Sequence, residues 1–197
     1  MRKATVATRD AIRAAALAKF RRRGYSATTL QEIGDEVGLT RGAVLHHFNA
    51  KAELLASVVV PWLDRFDRAL ATAVVSEPPT TAERQRVLRR FADLVLDNRA
   101  IVELLSGDVG ALDALGSADA WTARVRSLTM LLAGSHATPA DLARTAAAVG
   151  AILHPAANGW LDLDAAPARL AVVDAGVAAI CPRVTALGPT ALLAGWG

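Results

Sequence analysis

Cysteine is nearly absent from this sequence, and aromatic residues are few. Cys181 is the one cysteine among 197 residues, so no disulfide can form within the chain. Aromatic residues make up 5% of a sequence that is 53% hydrophobic. Alanine is very frequent, and this composition favours close-packed helices over a sheet. The length allows a sizeable core and one or two domains.

Long uninterrupted apolar stretches are also lacking. The run from Leu54 to Leu63 is too short to span a bilayer, and longer runs contain His, Asn or Pro. Met1 to Arg23 is polar, and its apolar residues recur at helical spacing instead of forming the continuous run of a signal peptide. We therefore expect a soluble, cytoplasmic protein.

Residue patterns typical of enzymes are lacking as well. There is no glycine-rich phosphate loop and no paired-carboxylate motif. His46 and His47 are neighbours, about 100° apart on a helix of ~3.6 residues per turn, so they do not form an i, i+4 chelating pair. His136 and His154 are isolated, and Cys181 has no histidine near it in sequence. We predict no catalytic residue, metal site or cofactor; an enzyme whose pocket is assembled from distant residues is the weaker alternative.

Positive charge is concentrated in the N-terminal part of the chain. Residues 1–55 contain ten Lys/Arg and five Asp/Glu, a net charge of +5, whereas residues 56–197 contain twelve and fourteen, a net charge of −2. A polyanionic partner is therefore expected at the N-terminal part.

The segment from Thr29 to Phe48, TLQEIGDEVGLTRGAVLHHF, predicts a helix, a tight turn and a second helix. Thr29 and Glu32 form a capping box, which predicts a helix start. Gly38 can adopt a positive φ without steric cost, which ends that helix sharply. The apolar face of the first helix is formed by Leu30, Ile33 and Val37.

The second helix of this pair has a polar outward face. Thr40 is a suitable N-cap for a short helix from Arg41 to His47. Val44 and Phe48 lie four residues apart and are expected to point inward. The residues left pointing outward are Arg41, Gly42, His46 and His47. A face that is small, basic and able to form hydrogen bonds suits the DNA major groove.

The segment resembles the helix-turn-helix of TetR-family transcriptional regulators. The resemblance runs from Thr8 to about Leu55 and includes the helix exit RRRGYSATT, the turn and recognition helix GLTRGAVLHHF, and the start of a fourth helix, NAKAELL. The order and spacing of these pieces are more specific than any one of them. Two positions depart from the family pattern. Leu45 replaces a tyrosine whose hydroxyl usually meets phosphate, and Ala50 replaces a serine that often caps the next helix.

The resemblance implies an all-α fold with two parts. Residues 1–50 would be a three-helix helix-turn-helix DNA-binding domain, and residues 51–197 a larger helical domain for ligand binding and dimerisation. It also implies a transcriptional regulator, expected to be a repressor that binds a palindromic operator in double-stranded DNA as a homodimer and is released by a small apolar ligand. The alternative is a helix-turn-helix protein without an inducer, architectural or constitutive. A purely protein-binding module is the weakest option, because it leaves the outward face of the second helix unexplained.

Candidate DNA contacts on this reading fall into three groups. Base edges or adjacent phosphates would be contacted by Gln31, Arg41, His46 and His47. Contacts to the DNA backbone are expected from Tyr25, Thr29, Thr40 and Lys51. Two residues, Gly42 and Ala43, matter because they are small enough for close approach.

The remaining chain predicts further helices separated by short breaks. The first helix is expected from Thr8 to Arg23, after a short frayed terminus. The others are predicted at 50–75, with a kink or break at Pro61, then at 81–96, 98–105, 120–132, 139–161 and 168–180. Residues 107–116 contain three glycines and are predicted to form a loop, and residues 184–197 a loosely held tail.

The last two predicted helices are rich in small residues and apolar nearly all round. Such helices must be buried against others, and a two-fold interface in which this pair packs on its copy covers them economically. An apolar effector pocket between helices of one subunit is implied by the family resemblance. The residues that we predict could line it are Trp62, Phe66, Phe91, Trp121, Met130, His154, Asn158 and Trp160, although an ordinary core role is open for each.

Overall fold

A computed structural model describes residues 2–72, 76–116, 119–159 and 161–180. Within these ranges the chain forms ten α-helices and no strand, so the prediction of an all-α fold is confirmed. The helices are α1 (Arg2–Arg23), α2 (Leu30–Glu36), α3 (Arg41–His47), α4 (Lys51–Ala71), α5 (Thr81–Leu96), α6 (Arg99–Gly107), α7 (Val109–Ala114), α8 (Ala120–Ala133), α9 (Pro139–Asn158) and α10 (Ala166–Ile180).

Local capping signals set several of these helix starts. Thr29, Thr80 and Thr138 each accept a hydrogen bond from the backbone N–H three residues on, and the acidic side chain at that position bonds back to the cap. Thr40 caps α3 by accepting from the Ala43 N–H at 3.1 Å. The predicted starts of α2, α3, α5 and α9 are therefore confirmed, since one short-range interaction determines each.

The predicted start of the first helix and the predicted loop at 107–116 are both wrong. The first helix begins at Arg2, not at Thr8, because residues 2–7 continue the helix without a break. Residues 109–114 form α7 where a loop was predicted. There the Asp108 side chain accepts from the Ala111 N–H and supplies an N-cap that outweighs the low helix propensity of Gly110.

The helices α4 and α9 each contain an internal proline. Helix α4 continues through Pro61 and ends at Ala71, and α9 continues through Pro155 and ends at Asn158. Pro61 and Pro155 therefore end neither helix; of the two outcomes predicted at Pro61 the break is wrong, and the kink stays a prediction. The predicted tail and Cys181 lie outside the described residues.

The interior is a single hydrophobic cluster that joins α1–α3 to the later helices. Four aromatic side chains on α4, α5 and α8 form its centre: Trp62, Phe66, Phe91 and Trp121. Ring centroids within this group lie 5.3 to 6.1 Å apart in tilted or edge-to-face arrangements. No helix among the described residues has the combination of length and apolar character that crossing a bilayer would need.

The last two helices pack on each other and keep one face uncovered. Val149 and Ile152 on α9 and Val173 on α10 are buried in the core. The opposite faces consist mainly of small side chains that are exposed in this single chain: Ala143, Ala147 and His154 on α9, and Pro167, Leu170, Ala171, Asp174 and Ala178 on α10. A single chain therefore leaves a largely apolar surface exposed on this helix pair.

Candidate nucleic-acid interface

The turn between α2 and α3 is built around two glycines. Gly38 has φ +68°, a conformation that L side chains rarely adopt, and it ends α2 as predicted. The Leu39 N–H then donates to the Gly34 carbonyl at 2.8 Å, which folds the chain back tightly. A Cβ added at Gly34 would lie 2.5 Å from the Leu39 carbonyl oxygen. This close approach fixes how α3 is placed relative to α2.

The inward face of α3 is buried, and α3 packs mainly on α2. Val44 and Phe48 are fully buried, as predicted. The Arg9 guanidinium lies 4.3 Å from the Phe48 ring centroid and donates from Nη1 to the His47 carbonyl at 2.6 Å. Arg9 therefore satisfies one of the free carbonyls at the end of α3 while covering its aromatic anchor.

Two ion pairs hold α1 to α2. Lys19 Nζ lies 2.7 Å from the Glu36 carboxylate, and Arg23 pairs with Glu32. The hydrogen bond from Lys19 lowers the pKa of Glu36, and the hydrogen bonds from Thr29 lower the pKa of Glu32. Part of the basic excess of the N-terminal region is therefore used inside the three-helix unit α1–α3.

The outward face of α3 is accessible. Arg41, Gly42 and His46 are exposed, and Ala43 and His47 are half-buried. The His46 and His47 rings lie edge to face with centroids 5.7 Å apart. No side chain in the described part of the chain forms a hydrogen bond or ion pair with the Arg41 guanidinium. The structure thus brings these five predicted residues together on one surface.

The other polar candidates on α2 and α3 already have local partners. The Thr29 and Thr40 hydroxyls cap their helices, and Gln31 Nε2 donates to the Asp35 carboxylate at 2.6 Å on an exposed face. The Thr40 hydroxyl accepts from a backbone N–H and can still donate to phosphate, whereas the Thr29 hydroxyl already donates to Glu32 Oε2 at 2.9 Å.

Tyr25 and Lys51 have an internal role that the sequence did not reveal. Lys51 Nζ donates to the Tyr25 and Thr28 carbonyls, each at 2.8 Å, and lies 4.2 Å from the Tyr25 ring centroid. Burial lowers the pKa of Lys51. Tyr25 itself is only 9% exposed. Phosphate contact by these two residues stays a prediction, and the structure uses both to hold the turn before α2.

The candidate effector residues separate into two sets. Trp62, Phe66, Phe91 and Trp121 meet in the aromatic cluster of the core. A groove of about 510 Å³ between α4 and α8 reaches Phe66, with a bidentate Arg124–Asp67 ion pair at its side (2.8 and 2.7 Å).

The other candidates lie away from that cluster. Met130 is 52% exposed on α8, and His154 and Asn158 are exposed near the end of α9, where the Asn158 amide donates to the His154 carbonyl at 2.7 Å. Trp160 lies outside the described residues. In the described part of the chain, no group of three or more His, Asp or Glu side chains is arranged to hold a metal ion.

Sequence reasoning did not identify Arg9, Gly34 or Asp108. A glycine inside a predicted helix indicates close backbone approach, so Gly34 carried a usable signal. Arg9 and Asp108 carried none, because each acts across more than 35 residues of sequence, on His47 and on Tyr25.

These features define a helix-turn-helix protein with a larger helical part attached. The model of the family described as "Bacterial regulatory proteins, tetR family" matches residues 12–58. The chain is 41% identical over 95 residues to the HTH-type transcriptional regulator TtgR of Pseudomonas putida, an alignment that covers 47% of this chain and 45% of that protein. It is 35% identical over 69 residues to the HTH-type transcriptional repressor KstR2 of Mycolicibacterium smegmatis, covering 33% of this chain and 34% of that protein.

The fold extends the likeness beyond the matched segment. The structure of AibR in complex with isovaleryl coenzyme A and operator DNA has a TM-score of 0.60 with this chain at 16% identity, covering 86% of this chain and 96% of the other. The sequence alignments span less than half of the curated relatives, so the C-terminal likeness is one of fold alone. Residues 12–58 therefore match the tetR family of bacterial regulatory proteins, and the chain as a whole shares the fold of AibR.

Proposed function

We propose that this protein is a DNA-binding transcriptional regulator that reads a palindromic operator as a homodimer. The observation that carries the proposal is the contrast between the buried face and the exposed face of α3. Its inner residues Val44 and Phe48 are buried, while Arg41, Gly42 and His46 are exposed beside the half-buried His47. A short helix anchored on one side, with a basic hydrogen-bonding face on the other, is suited to the major groove.

The proposed division of labour follows the charge and the fold. Residues 1–50 would bind DNA, and residues 51–197 would form the dimer and carry regulation. Arg41, His46, His47 and Gln31 would contact base edges or nearby phosphates. The hydroxyls of Thr29 and Thr40 would contact the DNA backbone, whereas Gly42 and Ala43 allow close approach.

Dimerisation through α9 and α10 is part of the proposal. Their uncovered faces consist mainly of small side chains, so two copies can approach closely along a two-fold axis. A two-fold dimer presents two copies of α3 to successive major grooves, about 34 Å apart, and a palindromic operator follows from that symmetry. Binding over the promoter of a regulated gene would block its transcription, so the proposed role is that of a repressor acting in the cytoplasm.

A small apolar effector is the proposed means of release. The groove between α4 and α8 that reaches Phe66 is where such a molecule could meet the aromatic cluster. The complex of AibR contains both an acyl coenzyme A and operator DNA, which supports the idea that this fold can couple a ligand to DNA. The effector would act by binding better to the conformation whose recognition helices are wrongly spaced.

The second candidate is a helix-turn-helix regulator without an inducer. The observation that favours it is the close packing of Trp62, Phe66, Phe91 and Trp121, which occupy the centre of the helical part themselves. Lack of any small-molecule effect on operator binding, with the operator itself bound specifically, would favour this candidate.

In vitro selection of DNA from a random pool tests the proposal most directly. The full-length protein should enrich a palindrome whose half-sites lie about one helical turn apart. Enrichment of a non-palindromic sequence would contradict the dimeric mode. Equal affinity for selected and random DNA would contradict sequence-specific regulation and favour an architectural role.

A further inference from the structure

The turn that precedes α2, residues 24–28, is held by two charged side chains from the later helices. Lys51, the first residue of α4, donates to the carbonyls of Tyr25, Ser26 and Thr28 at 2.8, 3.4 and 2.8 Å. From the other side the Asp108 carboxylate accepts the Tyr25 backbone N–H at 2.5 Å. The Lys51 ammonium therefore binds three carbonyls of this turn, and the Asp108 carboxylate binds one of its N–H groups.

Asp108 uses its two carboxylate oxygens for different parts of the fold. Oδ1 accepts the Ala111 N–H at 3.0 Å and caps α7, while Oδ2 accepts the Tyr25 N–H. The side chain therefore ties the corner between α6 and α7 to the turn that leads into the helix-turn-helix.

The contact around Asp108 is close and is reinforced nearby. A Cβ added at Gly110 would overlap the Ser26 hydroxyl, so α7 lies directly against the turn. On the flank of this contact, Arg21 of α1 forms a two-pronged ion pair with Glu103 of α6. Asp108 combines two roles: its carboxylate hydrogen-bonds to the backbone of the turn and also caps α7 in the C-terminal part.

We infer that Asp108 is a positioning residue for DNA recognition, which sets the orientation of α1–α3 relative to the α6–α7 corner and hence the separation of the two recognition helices in the dimer. The inference rests on the proposed function. Asp108 lies 50 residues beyond the end of the segment matched by the family model, residues 12–58, and has no proposed contact with DNA.

Asp108 can set this orientation because its side chain is a short link between the α6–α7 corner and the turn at residues 24–28. An aspartate has one methylene between backbone and carboxylate, so a small shift of the α6–α7 corner must either move the 24–28 turn or break the hydrogen bond. The unit α1–α3 moves with that turn, because Arg23–Glu32 and Lys19–Glu36 tie α2 to α1. Two half-sites can be engaged together only if the helix separation matches the DNA repeat.

The experiment compares Asp108→Ser with Asp108→Asn in the full-length protein. Serine can still cap α7 but cannot also reach the Tyr25 N–H. Asparagine keeps the size, yet it has one acceptor oxygen for two backbone donors. The control is Asp113→Ser, which removes the same charge from an exposed position on the same helix.

Affinity is measured for a set of palindromic operators that differ in the distance between half-sites, and for a single half-site. Both Asp108 variants should bind the wild-type optimum about tenfold more weakly and show a broader or shifted spacing preference. Their affinity for the single half-site should stay within about twofold of Asp113→Ser, because the DNA-facing residues are unchanged. A spacing preference is a readout that simple destabilisation does not move.

The inference is overturned if the Asp108 variants show the spacing profile of Asp113→Ser, or if they lose affinity equally at all spacings and at the half-site. If the wild-type protein binds no DNA, the proposed function fails first and this inference falls with it. The two failures are thus distinguishable.

Discussion

At the residue scale, the side chains of α3 and of Phe48, which follows it, have two distinct roles. Val44 and Phe48 are fully buried and hold the helix, whereas Arg41 is exposed and has no partner among the described residues. An arginine without an internal partner loses no protein contact when it is replaced, so its removal reports on an external ligand.

We predict that Arg41→Ala and His47→Ala each weaken operator binding about fivefold to 100-fold, about 1–3 kcal/mol for a lost base contact. Dimerisation and the unfolding midpoint should stay at wild-type values. Gel-shift titration measures the affinity, and sedimentation gives the oligomeric state. Arg126→Ala, a change at an exposed arginine on α8, is the control; affinity equal to that control in both variants would remove Arg41 and His47 from the DNA surface.

We predict that Gly34→Ala destabilises the fold by about 1–3 kcal/mol, the usual cost of overpacking. The new methyl group would lie 2.5 Å from the Leu39 carbonyl oxygen, and that backbone cannot move without opening the turn. Urea unfolding measures the change.

Gly42→Ala is the matched control for this stability test. A Cβ there has Thr40 Oγ1 at 3.9 Å as its nearest contact, so the fold should accept it. The same variant should weaken DNA binding if α3 approaches the groove closely. Equal stability of the two alanine variants would show that the close approach at Gly34 is not a constraint.

At the element scale, α1 and α2 are joined by charges that titrate in acid. The folded-state pKa of Glu36 is lowered from 4.5, first by its hydrogen bond from Lys19 and then by the charge of that residue. A lowered folded pKa means that the ionised form is favoured in the native state. This stabilisation is therefore present above pH 4.5 and is lost as the pH falls through the lowered value.

We predict that Glu36→Gln lowers stability at about pH 7 and makes little difference at about pH 3. Both proteins lose stability in acid, and the difference between them should shrink, because the wild-type carboxylate is protonated there. Urea unfolding at the two pH values measures this difference. Asp113→Asn, at an exposed carboxylate of α7 without a hydrogen bond or ion pair in the described part of the chain, should show no such convergence. A constant difference between wild type and Glu36→Gln would contradict the ionic origin of the contact.

The helices that sequence predicts well are those that begin with a local signal. Thr29, Thr40, Thr80 and Thr138 each bond to a backbone N–H three residues away, so the interaction is visible in four consecutive letters. The helix α7 was missed because its three nearby glycines outweighed one aspartate in the pattern. One oxygen of the Asp108 carboxylate caps α7, and the other accepts from the Tyr25 N–H. A contact between residues so far apart in sequence produces no periodic pattern.

The candidate site shows the same division. The outward face of α3 was predictable because the alternation of buried and exposed residues follows helix geometry. The role of Lys51 was not predictable. A positive charge at a helix start predicts affinity for phosphate, whereas in the folded chain the Lys51 ammonium donates to three backbone carbonyls. A single sequence does not specify which of several acceptors a flexible cation will meet.

At the scale of the whole molecule, the distribution of charge matters more than its total. The N-terminal 55 residues carry a net +5 and the rest a net −2. Ion pairs within the fold use some of this basic charge, whereas Arg41, on the surface proposed to face DNA, has no internal partner among the described residues.

We predict that operator affinity falls steeply with salt, by on the order of 10³ or more between 50 and 200 mM if six or more phosphates are neutralised by the dimer. The loss arises because bound cationic side chains release counterions from DNA. Fluorescence anisotropy at several salt concentrations gives the slope.

Arg41→Ala provides the internal check on that slope. If Arg41 reads a base edge, the slope should stay near the wild-type value, and if it contacts phosphate the slope should fall by about one per subunit. A flat salt dependence of the wild-type protein would rule out phosphate neutralisation as the main source of affinity.

The contact of Arg9 with α3 limits how freely the recognition helix can be transplanted. A graft of residues 41–47 into another scaffold would leave the His47 carbonyl without its donor and the Phe48 ring uncovered, since both are served from α1. A chimera that is intended to keep this operator preference must therefore include Arg9 of α1 as well as residues 41–47. The smallest portable module includes α1 as well as the helix pair α2 and α3.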